Sequence, residues 1–124
     1  MRAVYTRLFT DEAGESHFED CESELPLIEF APPAAPLGVS ENFPASEAAF
    51  LGGPSGWIGD WHVSSSRNLF VVISGEWEVE ASDGATRLFS PNSVLLAEDL
   101  TGKGHRSRVV SKEDSLALLV RLAS

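Results

Sequence analysis

A barrel or sandwich of short β-strands is the fold class this sequence predicts, and three observations carry the prediction. Glu76 to Ala81 alternates strictly, with Trp77, Val79 and Ala81 set against Glu76, Glu78 and Glu80. That is the period of a strand with one face buried and one face wet. Asp83-Gly84 is a tight-hairpin dipeptide, since the favoured two-residue turns need residues that tolerate positive φ. Strand signals recur at spacings of about 8–12 residues with no sustained helical period, the rhythm of an all-β domain.

The elements follow in chain order. Ala3–Phe9 reads as a first strand and Glu15–Glu22 as a second. From Pro26 to Pro44 the chain carries Pro32, Pro33 and Pro36, which cannot donate ladder hydrogen bonds or sit inside a helix. This stretch is expected to be an extended arm over the barrel. Ser46–Leu51 is a short strand stopped by Gly52, Gly53 and Pro54. Asn68–Ile73 is a β-branched and aromatic run that turns at Ser74-Gly75 into Glu76–Ala81. Thr86–Phe89 follows the hairpin, and Val94–Ala97 is an apolar strand after the turn Ser90-Pro91-Asn92. The loop Thr101-Gly102-Lys103-Gly104 leads to the last strands, His105–Val110 and Leu116–Leu122. The division expected is residues 1–45 as N-terminal strands and arm, packed on a barrel of residues 46–124, together forming a single domain.

Composition narrows the function classes. A chain of 124 residues fits one domain and can bury a core without staples. Its net charge of −10 opposes a phosphate backbone, so nucleic acid is not an expected partner. Arg106, Arg108 and Lys103 form the one local basic group, read as a solvated strand face. Cys21 is the single cysteine, which agrees with a reducing, cytoplasmic setting, and its neighbours Asp20 and Glu22 oppose a thiolate nucleophile. No signal peptide is apparent in Met1–Thr10, and no stretch has the apolar length of a membrane span.

Gly56 to Gly75 reads GWIGDWHVSSSRNLFVVISG. The first motif of the cupins runs from a Gly through a His-x-His pair and a Glu to a second Gly, and Gly56, His62 and Gly75 fall on its spacing. Ser64 stands in place of the second His and Asn68 in place of the Glu. The second cupin motif has a Pro-Gly-Asp turn, a strand, a glycine loop and a His. Here Pro91-Asn92-Ser93, Val94–Glu98, the Gly102–Gly104 loop and His105 follow that order. The piece from Trp61 to Val110 thus resembles small single-domain cupins of the RmlC-like type. The resemblance implies a double-stranded β-helix, or jelly-roll barrel, with an N-terminal extension. It also implies a symmetric homodimer in which the N-terminal strand takes part.

A typical cupin metal site uses three His and one Glu, ligands suited to Fe, Mn, Ni, Cu or Zn. Here the resemblance leaves His62 and His105, with neutral oxygens on Ser64 and Asn68. No cofactor, or a weakly bound divalent transition metal, is therefore expected. Glu98 or Asp99 stands close enough in sequence to His105 to add a carboxylate, and Glu98 is taken as the third partner. The leading reading is a barrel that binds a modest, partly apolar organic molecule. It would act as a lyase, isomerase or cyclase through acid–base chemistry at His62 and His105, since imidazole exchanges protons near neutral pH. Ser64 and Asn68 would supply hydrogen bonds, and Trp57 and Trp61, which flank His62, would line the mouth. Asp60, two residues before His62, could orient it. A metal-dependent cupin oxygenase and a non-catalytic ligand-binding cupin are the alternatives, and a histidine in a barrel can also be a satisfied core residue.

Overall fold

The computed structural model describes residues 1–123. Eleven strands make up the described chain, with no helix among these residues: β1 (Arg2–Thr10), β2 (Ser16–Glu24), β3 (Leu27–Ile28), β4 (Leu37–Gly38), β5 (Ala45–Gly53), β6 (Asn68–Ser74), β7 (Trp77–Ala81), β8 (Thr86–Phe89), β9 (Val94–Ala97), β10 (His105–Val109) and β11 (Ser115–Leu122). Among the described residues no helix is long and apolar enough to cross a membrane.

Two sheets face each other. The larger has the order β2-β1-β9-β6-β11-β5 and the smaller β10-β7-β8. All pairings are antiparallel except β1 with β9, where Leu8 lies opposite Ala97. Residues 57–62 run irregularly along the free edge of β10. There Gly59 N–H donates to Ser107 C=O at 2.9 Å, and His62 and His105 exchange both backbone hydrogen bonds at 2.9 Å. The Pro-rich stretch holds only the small hairpin β3–β4 and is mostly exposed.

The alternation read from Glu76–Ala81 is the alternation that packs the core. Trp77, Val79 and Ala81 face inward, and meet Leu8, Val72 and Leu95 of the larger sheet. Glu78 and Glu80 face outward, where Arg108 and Arg106 on β10 pair with them at 3.0 and 2.8 Å. Arg106 and Arg108 are therefore a cross-strand ladder on an exposed face, each pair worth little in water, while Lys103 pairs apart from them with Glu15 at 2.7 Å. Trp77 buries its ring, and its indole N–H donates to Ser115 Oγ at 2.6 Å, the partner a buried tryptophan requires.

Candidate functional site

Alternation on β10 sends Arg106 and Arg108 outward, so His105 and Ser107 point between the sheets. There they border a cavity of about 320 Å³. His62, Ser64 and Asn68 line the same space. The rest of the wall is apolar, with Trp57, Phe70, Trp77, Val79, Leu95 and Leu119 among it. The aromatic rings interlock: Phe70 meets Trp77 edge-on at 5.3 Å between centroids, and Trp57 meets Trp77 at 5.7 Å. A small, mostly apolar cavity with a few convergent polar groups is the usual shape of a small-molecule site.

The two imidazoles stand 4.6 Å apart, ring centre to ring centre. His62 is exposed at the rim, whereas the His105 side chain keeps 12% of its surface accessible. His62 Nδ1 lies 2.8 Å from the carbonyl oxygen of Asp60. A carbonyl only accepts, so Nδ1 carries the proton. Asp60 thus does orient His62, but through its backbone, while its carboxylate accepts from the N–H of Trp61. His105 Nδ1 lies 2.5 Å from Asp99 Oδ2. Asp99 is fully buried, and its other oxygen accepts from the Ser64 hydroxyl at 2.9 Å. Both Nδ1 atoms are engaged, and Nε2 is the ring nitrogen each histidine has left for a ligand.

The carboxylate behind His105 is Asp99, not Glu98. Glu98 accepts from Arg7 Nε at 2.5 Å and Arg67 Nε at 2.6 Å and does not border the cavity. Burial pushes its carboxyl up, but the Arg7 and Arg67 hydrogen bonds outweigh burial and hold it below the usual carboxylate range. Trp61 also stands outside the lining, with the Arg106 guanidinium over its ring at 5.0 Å. Trp57 is in the wall. Asn68 donates one amide N–H to Ser66 C=O at 3.0 Å, which leaves its second N–H and its amide oxygen for a ligand. Ser107, Phe70 and Trp77 belong to the site without having been read as such. Stepping by two from His105 or from Val79 reaches Ser107 and Trp77, so period-two alternation was the available signal.

The donor set does not fit the transition-metal site that the fold family implies. Among the described residues, no three His, Cys, Asp or Glu side chains converge in a way that could hold a metal ion. Asp99 is spent on His105 and Ser64, and the Ser64 hydroxyl is donated away from the cavity. Two imidazoles and neutral oxygens are a poor set for such ions. Elsewhere, the Cys21 thiol is pushed above its ordinary value by burial and then by Glu19, which keeps it protonated and weakly reactive.

Comparison of the backbone with solved structures finds the cupin domain of Cnp3 from Schizosaccharomyces pombe, at TM-score 0.53 and 15% identity over 100% of this chain and 83% of that one. Protein NMB1881 from Neisseria meningitidis is similar at TM-score 0.45 and 16% identity, over 61% of this chain and 72% of that one. A putative ethanolamine utilization protein Q from Salmonella typhimurium gives TM-score 0.39 and 14% identity, over 98% and 97%. No protein-family model and no curated protein matches the chain. The first of these likenesses, together with the two facing sheets, shows that the chain has a small cupin fold.

Proposed function

We propose that this cupin barrel binds a small, partly apolar organic molecule and acts on it by histidine acid–base chemistry, as a lyase, isomerase or cyclase, without a tightly held metal. The observation that carries this reading is the Asp99–His105 pair. A buried carboxylate holds Nδ1–H at 2.5 Å, which fixes the tautomer and leaves the Nε2 lone pair for the substrate. His62, 4.6 Å away, offers a second nitrogen that can return the proton. The wall beside His105 is mostly apolar, and electrostatic interactions are stronger in such surroundings than in open water.

Proton transfer can be tested before the substrate is known. A panel of small enolisable carbonyl compounds is incubated in deuterated water, and loss of the α-proton signal is followed by NMR. Catalysed exchange is expected with at least one compound. It should fall by about a hundred- to ten-thousandfold in His105→Ala, compared at equal folded concentration, since the variant leaves the buried Asp99 carboxylate with Ser64 alone and its melting temperature should drop. If no compound exchanges faster with protein than without, the barrel is a binding module and the catalytic part of the reading is wrong.

A further inference from the structure

We infer that the cavity selects uncharged, single-ring molecules that carry a hydroxyl proton, of the phenol or enol class, with that O–H donated to Nε2 of His105. The inference deepens the reading above and rests on it. Three independent features of the site lead to it.

The first is protonation. Asp60 C=O and Asp99 Oδ2 are acceptors, so each histidine is protonated on Nδ1 and presents a lone pair from Nε2 when neutral. Asn68 spends one of its two amide N–H groups on Ser66, and Ser64 spends its hydroxyl on Asp99; the second Asn68 N–H and the Ser107 hydroxyl are the donors left at the wall. Both imidazoles therefore present acceptors, and the natural complement of the histidine end of the cavity is a ligand that donates.

The second is charge. No Lys, Arg, Asp or Glu borders the cavity among the described residues, so an ionised ligand would be desolvated there without a counter-ion at its own surface. An anion is opposed further by the Asp99 carboxylate behind His105. A cation finds that carboxylate already engaged by Ser64 and the imidazole.

The third is size and shape. A volume of about 320 Å³ is at the small end of ligand pockets, and its aromatic walls suit one flat ring. The chemistry then balances without a further reactant. The O–H bond of an enol breaks as the Nε2–H bond of His105 forms, which leaves an imidazolium on Asp99 and an enolate. Delivery of the proton to carbon restores the neutral imidazole and gives the ketone. For a phenol the first transfer is simply reversed.

Binding calorimetry at neutral pH with phenol, anisole, benzoate and benzylammonium separates these points. Phenol should bind about fivefold more tightly than anisole, the ratio that one net hydrogen bond supplies, and more tightly than either ion. The preference for phenol over anisole should disappear in His105→Phe and shrink in Asp99→Asn, which keeps the side-chain shape if the first variant folds poorly. Equal affinity for phenol and anisole would overturn the donor assignment while the cavity reading stands. Tighter binding of benzoate or benzylammonium would overturn the charge argument alone. Failure of all four to bind would overturn this inference, and retained deuterium exchange would then show that the acid–base reading survives without it.

Discussion

His17 carries an acceptor on each ring nitrogen: Asp11 Oδ2 at 2.6 Å from Nε2 and Asp83 Oδ2 at 2.9 Å from Nδ1. Only the imidazolium has two N–H groups, so these contacts favour the charged ring. The hydrogen bond His17 donates to Asp11, then the one it donates to Asp83, raises the His17 pKa above the ordinary imidazole value. The hydrogen bond with His17, then the backbone N–H of Glu15, lowers that of Asp11. A raised histidine contributes stability that is complete below its unfolded pKa and is lost as pH rises through the folded one. A lowered aspartate contributes stability that is complete above its unfolded pKa and is lost as pH falls. The clamp is therefore strongest between about pH 4 and 6.5. The melting temperature should decline between about pH 6 and 8 in the parent, and the decline should be smaller in His17→Gln. A parallel fall in both proteins would remove His17 as the cause. At the cavity, two imidazoles with no carboxylate to spare predict that prolonged chelation leaves melting temperature and phenol affinity unchanged. A drop in either, restored by one divalent metal, would show a metal site. His62 and His105 were legible because motif spacing sets them on facing segments. Asp99 was not. Val94, Leu95, Leu96 and Ala97 are all apolar, so this strand shows no alternation from which to carry the inward phase past Ala97 to residue 99 rather than 98.

Gly104 shows how an element end sets the site. Its φ is +72°, and a Cβ built there would stand 2.1 Å from the carbonyl oxygen of His62. That oxygen is one half of the backbone bridge between His62 and His105. Gly104→Ala should therefore cost about 1–3 kcal/mol of stability, the range for a strained backbone residue, and should weaken phenol binding as well. A denaturant midpoint within error of the parent would refute the close approach. The loop before it is pinned by the N-terminal hairpin: Lys103 N–H donates to Gly14 C=O at 2.9 Å, and Ser16 Oγ to Gly104 C=O at 2.8 Å. Most strands were readable because alternation and turn residues are local signals. Ser46–Leu51 lengthens to Ala45–Gly53 because β11 offers it a full antiparallel partner, which no local pattern reveals. Segment 57–62 was harder, since its pairing with β10 is two isolated bridges rather than a ladder.

The two edges of the larger sheet differ in chemistry. β2 carries Glu19, Asp20, Glu22 and Glu24, charges that discourage pairing with another chain. β5 carries one charge, Glu47, already paired with Arg121 at 3.1 Å, and Phe50 on it is 73% exposed. Phe50, Leu118, Val71 and Val94 lie in one cross-strand register row. In a chain of net charge −10, two copies meet with least repulsion at such an edge, so the homodimer expected from the sequence is predicted here, at β5, and not at the N-terminal strand. Sedimentation at micromolar concentration should give a dimer for the parent and a monomer for Phe50→Glu. A monomeric parent would refute the prediction, and a dimer unaffected by the change would place the contact elsewhere. The barrel as a whole was legible because many short strands imply closure, whereas the order of strands within a sheet depends on contacts distant in sequence. The parallel seam between β1 and β9 is the clearest of these, since Leu8 is opposite Ala97 and fully buried. During synthesis the first strand leaves the ribosome long before its neighbour exists. The hairpin it forms with β2 must stay unaggregated with its inner face bare until β9 has been made. Refolding should accordingly be slow for so small a domain, in the millisecond-to-second range of non-local β topologies, which stopped-flow fluorescence of the buried Trp77 would follow.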